Sequence, residues 1–190
     1  MTKSNIGNSV DNIQTVENVL SKEEHVQLLK YAGSIESWHT QPWGVKFFLS
    51  KDMPEEIIDS LEKVFRIAYQ KCTDRYNVKL RVFERHEVHL IKFEKGHKMN
   101  GHTDTTGDFA VIYYLNDDYE GGEINFPDHN LKIKPKPNSF VIFPSNEDYF
   151  HEVLENLGKE RYSSTLWFNF DGSPYRGNIN QYNGLKGIQP

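Results

Sequence analysis

The sequence predicts a mainly β domain with N-terminal helices, of the α+β class, built around a sandwich or barrel. The length of 190 residues suffices for one hydrophobic core but not comfortably for two. Near Leu80 the spacing of apolar residues changes from the helical period to the alternation that strands require. Beyond that point, short runs rich in aromatic and β-branched residues are separated by regular turns, which is typical of sandwiches and barrels.

Two helices are predicted before the strands. Ser21 can cap the first helix, and Glu24 in its first turn completes a capping box. Gly33 is the predicted stop of this helix. The second helix is expected to begin near Pro54, a residue suited to a first helical turn, and to end around Cys72.

The strands are delimited by turns rich in Asn, Asp, Pro and Gly. Predicted strands cover residues 45–49, 80–93, 109–115, 123–126, 131–134, 140–143, 150–153 and 161–170. The resulting organisation is one globular domain with four segments: a polar arm or short edge strand (1–15), a helical support region (16–79), a β core (80–172) and a C-terminal extension (173–190).

Composition excludes several classes of protein. The net charge of -5 argues against a surface built to neutralise nucleic-acid phosphates. The single cysteine, Cys72, allows neither an internal disulfide nor a cysteine-based zinc site, as expected in a reducing compartment. We find no signal peptide and no apolar run long enough to span a bilayer. The expectation is a cytoplasmic protein with no nucleic-acid or membrane partner, of undetermined oligomeric state.

The candidate metal ligands are His102, Asp104 and His151. His102 and Asp104 are two residues apart, so on an extended segment both side chains point to the same side. His151 begins a predicted strand, and Arg161 begins the next one across a predicted hairpin, so both can face one interior. Two His and one carboxylate on one face of an octahedron are typical of non-haem iron(II) oxygenases.

Arg161 suggests what else binds there. A 2-oxo acid and O₂ can use the three remaining positions on the metal, and a guanidinium matches the far carboxylate of 2-oxoglutarate through two hydrogen bonds. Each residue alone also fits an ordinary structural role. His151 can be a hydrogen-bonded core histidine, and Arg161 can form a surface ion pair with Glu152 or Glu160.

The chain from Val88 to Asp171 resembles the prolyl 4-hydroxylase-type members of the 2-oxoglutarate/iron(II) dioxygenases. The residues that carry the resemblance stand in the same order and spacing as in that family. They are Gly96 with His102-Thr103-Asp104, Ile112 to Asn116, Gly121 to Pro127, Pro135, Asn138, Phe140 to Phe143, His151-Glu152-Val153, Arg161-Tyr162 and Thr165-Leu166-Trp167.

The resemblance implies a double-stranded β-helix (jelly-roll) core that opens at one end onto the active site. It implies iron(II), 2-oxoglutarate and O₂ as cofactor and co-substrates, with ascorbate as a possible reductant. It further implies that Tyr114 contacts the co-substrate and that Thr165 supplies a hydroxyl beside it. Many relatives have Tyr where this chain has Phe93, so any co-substrate contact at that position is apolar.

The expected reaction is hydroxylation of an unactivated C–H bond, with a prolyl residue of a peptide or protein as the first expected substrate. A free amino acid or another small molecule is an alternative substrate. Two alternatives from other classes are a zinc hydrolase with the same ligands and a non-catalytic jelly-roll binding module. Substrate loops are expected around 34–46, 73–79 and 97–108, and His129 is expected to be solvent-exposed in its turn.

Overall fold

A computed structural model describes residues 6–41, 44–104 and 107–173, with the backbone alone for His86. Within these residues the chain forms two α-helices, α1 (Lys22–Ser34) and α2 (Glu55–Tyr76). The strands are β1 (Gln14–Glu17), β2 (His39–Thr40), β3 (Lys46–Leu49), β4 (His89–Phe93), β5 (Met99–His102), β6 (Phe109–Tyr114), β7 (Ile124–Phe126), β8 (Leu131–Ile133), β9 (Ser139–Pro144), β10 (His151–Val153) and β11 (Arg161–Phe168).

Helix α1 begins as predicted but ends differently. The Ser21 hydroxyl accepts a hydrogen bond from the Glu24 amide at 3.2 Å, and the Glu24 carboxylate accepts one from the Ser21 amide at 2.9 Å. This capping box satisfies two of the amides that a helix start leaves without partners. The prediction that Gly33 stops the helix was wrong, because Gly33 lies inside the last turn and Ser34 ends it.

Helix α2 is longer than its sequence pattern predicted. It continues past Cys72 to Tyr76 and ends where Asn77 adopts the left-handed conformation, with φ 50°. Tertiary contacts account for the extra turn. The Tyr76 hydroxyl donates to the Asn12 carbonyl at 2.8 Å, and its ring packs on Phe109 at a centroid distance of 4.7 Å. The predicted loop at 73–79 therefore contains helix in its first half.

The strands form two antiparallel sheets. One has seven strands in the order β1-β9-β6-β11-β4-β3-β2, and the other has four in the order β5-β10-β7-β8. The mainly β prediction is thus confirmed, and β1 forms an edge strand of the seven-stranded sheet at Gln14–Glu17. The predicted strand 80–93 was too long, because only His89–Phe93 pairs as a strand and a 3-10 turn covers Arg85–Glu87. Strands β2 and β5 were not predicted.

Alternation along β6 divides the core into two layers. Phe109, Val111 and Tyr113 belong to the cluster that packs against α1 and α2. Ala110, Ile112 and Tyr114 belong to a second cluster, shared with residues of β7 and β9, which lies between the two sheets. The helices therefore cover the outer face of the seven-stranded sheet and leave its inner face to the four-stranded sheet.

No helix in the described ranges is long and apolar enough to cross a membrane. Most of the predicted extension at 173–190 lies outside the described residues, because the structure describes only Ser173 of it. The domain boundaries stay predictions.

Candidate active site

The structure brings together the three predicted metal ligands. His102 ends β5 and His151 begins β10, and the two residues are partners in the antiparallel register of these strands. Their Nε2 atoms lie 3.8 Å from the two carboxylate oxygens of Asp104, one from each. Two ligands each about 2.1 Å from a common ion can be at most about 4.2 Å apart, so this spacing fits one shared metal ion.

Backbone carbonyls orient both imidazoles for metal binding. The Nδ1 atom of His102 lies 2.8 Å from the Asn100 carbonyl, and that of His151 lies 3.0 Å from the Tyr149 carbonyl. Because a carbonyl oxygen only accepts, each Nδ1 carries the proton and each Nε2 presents its lone pair to Asp104. Such bonds behind the ligands fix the ring orientation that a metal requires.

Burial also affects the protonation of the His151 imidazole. The side chain is 3% exposed, and the rings of Phe143 and Phe126 lie 4.7 and 5.6 Å from it. Burial lowers the pKa of His151, and the nearby Asp104 carboxylate only partly opposes that effect. The imidazole is therefore neutral near pH 7, which is the form that binds a metal ion.

The prediction of a hairpin between the His151 and Arg161 strands was wrong. Strand β10 pairs with β5 and β7, whereas β11 pairs with β4 and β6. The connection between β10 and β11 therefore crosses from the four-stranded sheet to the seven-stranded sheet. Both side chains still face one interior, because the two sheets pack against each other through their inner faces.

Arg161 is 1% exposed and lies between two aromatic rings. Its guanidinium carbon is 4.8 Å from the centre of the Phe93 ring and 5.0 Å from that of Tyr114. One terminal nitrogen donates to the Ser163 hydroxyl at 3.4 Å, and Nε has no hydrogen-bond partner in the described part of the chain. The alternative of a surface ion pair was wrong for Arg161, since the residue is buried.

Unpaired hydroxyls surround this guanidinium. The hydroxyls of Tyr114 and Tyr119 are buried without a hydrogen-bond partner among the described residues. Burial raises the pKa of Tyr114 to about 12 despite the positive charge of Arg161, so its hydroxyl remains a donor. Thr165, 7% exposed, lies on the same face of β11 as Arg161 and Ser163 by alternation along the strand. This site can therefore offer a cation and several donors to one anion.

Asn156 joins the segment before β5 to the segment before β11, and the sequence did not identify it as part of the site. Its side chain, fully buried, donates to the carbonyls of Phe93 and Lys159 at 3.1 and 2.7 Å. Its backbone exchanges hydrogen bonds of 2.7 and 2.9 Å with Gly96 and His97. These contacts hold the turn before β5 against the segment that leads into β11. An asparagine within Asn156-Leu157-Gly158 reads as ordinary turn chemistry, so no sequence signal distinguished it.

Three other histidines, His89, His97 and His129, lie outside the cluster of candidate ligands. His129, predicted to be exposed, is half-buried, because its ring stacks on Tyr149 at 5.0 Å and its Nε2 donates to the Asp148 carbonyl at 2.8 Å. His89 is 3% exposed, and burial lowers its pKa to about 4. His97 packs by its side chain against Gly44. Trp43, in the predicted substrate loop 34–46, lies outside the described residues.

Comparison with known proteins finds a family model that matches the segment around this site. Residues 88–169 match the model of the 2OG-Fe(II) oxygenase superfamily, a range that contains every candidate ligand and co-substrate residue. The match confirms the family resemblance that the motifs predicted for this segment.

The similar curated proteins are prolyl hydroxylases. Prolyl 3-hydroxylase 2 of Rattus norvegicus is 35% identical over 72 residues, which is 35% of this chain and 10% of that protein. The Homo sapiens protein of the same name matches with the same identity and coverage. The chain thus spans about a tenth of the length of the curated relatives it matches.

Two solved structures show the same fold at low sequence identity. A prolyl-4-hydroxylase of Pseudomonas putida superposes with a TM-score of 0.70 at 20% identity, covering 85% of this chain and 94% of that one. A prolyl hydroxylase of Trichoplax adhaerens, in complex with a hypoxia inducible factor peptide fragment, superposes with a TM-score of 0.66 at 20% identity, covering 95% and 89%.

Proposed function

We propose that this chain is an iron(II)- and 2-oxoglutarate-dependent oxygenase that hydroxylates an unactivated C–H bond. In this proposal His102, Asp104 and His151 bind the iron, and Arg161 binds the distal carboxylate of 2-oxoglutarate. The two sheets would form a double-stranded β-helix with the iron on the four-stranded sheet and the carboxylate site on the seven-stranded sheet.

The observation that carries the proposal is the buried guanidinium of Arg161, which has no carboxylate partner among the described residues, in the same interior as three convergent metal donors. A buried cation without an anion is costly, so its presence requires a compensating ligand. A dicarboxylic 2-oxo acid provides one, because its 2-oxo carboxylate end can bind the metal while its far carboxylate reaches the guanidinium. A zinc hydrolase with the same ligands would have no use for Arg161.

The chain's own residues prepare this chemistry without serving as strong acids or bases. The carbonyls behind His102 and His151 keep both Nε2 atoms directed at the metal position. Phe126 and Phe143 form an apolar wall beside His151 that excludes water. When bound, iron(II) would supply the oxidative chemistry that couples decarboxylation of 2-oxoglutarate to hydroxylation of the substrate.

A prolyl residue in a peptide or protein is the proposed substrate. The names of the relatives support it, since the curated ones are prolyl 3-hydroxylases and the solved neighbours include prolyl hydroxylases. One of these neighbours was solved with a peptide fragment bound. A free amino acid or another small molecule is the alternative for the same chemistry.

The test is anaerobic binding of iron(II) and then 2-oxoglutarate, followed by oxygen uptake and succinate formation with a panel of proline-containing peptides. The His102→Ala and Asp104→Ala variants should lose iron binding and substrate-stimulated succinate. A matched control is His25→Gln, because His25 lies on α1 and contacts Tyr113 on the helix-covered face. Tight zinc binding without 2-oxoglutarate binding would refute the proposal, as would full turnover in both alanine variants.

A further inference from the structure

Tyr119 has a buried hydroxyl whose proton has no acceptor among the described residues. The residue lies in the loop between β6 and β7 and is 4% exposed, and the charged group that acts most strongly on its hydroxyl is the Arg161 guanidinium, which can only donate. A buried hydroxyl without a hydrogen bond costs about 1–3 kcal/mol, and native proteins rarely retain one without a reason. The sequence motifs assigned this tyrosine no role.

The backbone at Gly122 places this ring beside Arg161. A Cβ atom at Gly122 would lie 3.1 Å from Cδ of Arg161 and 3.1 Å from a ring carbon of Tyr119, so both side chains lie close to this one glycine. The φ angle of +68° at Gly122 also favours glycine over residues with a side chain. Arg161 is close enough to Tyr119 that its charge opposes the rise in the pKa of Tyr119 caused by burial.

Phe93 lies on the other side of the guanidinium and offers only an apolar ring. Its centre is 4.8 Å from the guanidinium carbon, and Phe93 and Arg161 are register partners on β4 and β11. An anion at Arg161 can therefore receive no hydrogen bond from this side. Besides the guanidinium and the Ser163 and Thr165 hydroxyls of β11, the donors available among the described residues are the hydroxyls of Tyr114 and Tyr119.

We propose that Tyr119 is a further specificity-determining residue, whose hydroxyl donates a hydrogen bond to the distal carboxylate of 2-oxoglutarate beside Arg161. The inference rests on the proposed function. It assigns to the loop between β6 and β7 the hydroxyl that β4 does not supply at Phe93. A ligand without the distal carboxylate would gain nothing from Tyr119.

The experiment measures equilibrium binding by anaerobic calorimetry on the iron(II)-loaded protein, without turnover. The probes are 2-oxoglutarate and 2-oxopentanoate, which has a methyl group in place of the distal carboxylate. Tyr119→Phe should weaken binding of 2-oxoglutarate by about 10- to 100-fold, as expected for one hydrogen bond to a charged group, and leave 2-oxopentanoate binding unchanged. Its thermal stability without ligand should not fall, since no described group accepts the proton of this hydroxyl.

The control variant is Tyr69→Phe, whose hydroxyl donates to the Leu80 carbonyl at 2.8 Å on the helix-covered side. It should bind both acids as the unmodified protein does. Equal 2-oxoglutarate affinity in Tyr119→Phe would overturn the inference, and so would a parallel loss of affinity for both acids, which indicates a structural role. If the unmodified protein fails to bind 2-oxoglutarate at all, the proposed function itself fails, which is a separate result.

Discussion

Under the proposed function, replacement of Arg161 by Met should remove most of the stabilisation that 2-oxoglutarate gives to the protein. The change keeps the volume and the apolar contacts of the stem but removes the guanidinium, which is 1% exposed and has no carboxylate partner among the described side chains. Two charge-assisted hydrogen bonds to a carboxylate together contribute about 3–6 kcal/mol to the free energy of binding. Affinity for 2-oxoglutarate should therefore fall by about 100-fold or more.

The assay is thermal unfolding of the iron(II)-loaded protein under anaerobic conditions, with and without 2-oxoglutarate. At a ligand concentration about 100 times the wild-type Kd, the ligand should stabilise the unmodified protein by about 2.7 kcal/mol. For a domain of this size that corresponds to a rise in Tm of about 5–11 °C. At the same concentration the variant should gain about 0.4 kcal/mol or less, a shift of about 1 °C.

The stability of the ligand-free Arg161→Met variant distinguishes a loss of ligand binding from damage to the fold. Because the guanidinium is buried without an anion, the ligand-free variant should be as stable as the unmodified protein or more stable. The matched control is Arg85→Met, which removes an arginine that is 38% exposed and pairs with carboxylates on α2. It should leave the ligand-induced shift unchanged. A full ligand-induced shift in Arg161→Met would show that Arg161 binds no carboxylate.

Three further predictions concern stability and reactivity. His89 has a pKa lowered to about 4, so below pH 6.5 the unfolded chain binds more protons and the free energy of unfolding falls. Between pH 7 and 5 His89 should account for a loss of about 2 kcal/mol in urea unfolding, and the loss should shrink by that amount in His89→Gln. Gly121→Ala should lower the free energy of unfolding by more than about 2 kcal/mol, because φ is +73° and the new Cβ would lie 2.1 Å from the Glu155 carbonyl oxygen. Gly33 lies in open space on α1, so Gly33→Ala should raise the free energy of unfolding by about 0.5–1 kcal/mol in the same assay. Burial raises the pKa of Cys72, so iodoacetamide should modify this thiol only when the protein unfolds. Mass spectrometry measures the modification, and labelling of the native protein would contradict the burial of Cys72.

The grouping of the three candidate metal ligands could be predicted from the sequence because local rules place them. His102 and Asp104 are close along the chain, and His151 follows a turn that sets the start of its strand. Strand β5 escaped prediction because Met99-Asn100-Gly101-His102 has no apolar alternation. It is held by pairing with β10 and by the Phe150 ring, which lies 2.2 Å from where a Cβ of Gly101 would be.

The carboxylate site was only partly predictable, because it depends on contacts between distant segments. Arg161 and Tyr114 stand in recognisable motifs, but which sheet each strand joins is decided by long-range pairing. A seven-residue connection with Gly158 fits a hairpin as well as a crossing between sheets. Tyr119 could not be identified, since a tyrosine in a turn shows no sign in the sequence that its hydroxyl is buried without a partner.

The candidate ligands His102 and His151 lie on the four-stranded sheet and Arg161 lies on the seven-stranded sheet, which has a consequence for the choice of co-substrate. The apolar layer between the sheets includes Phe126 and Phe143, which are fully buried and pack edge to face at 5.0 Å. Under the proposed function, these rings would help to set the distance between the iron position and the Arg161 guanidinium. Phe126 and Phe143 would then determine how many carbon atoms can separate the two carboxylates of the co-substrate, without contacting the co-substrate themselves.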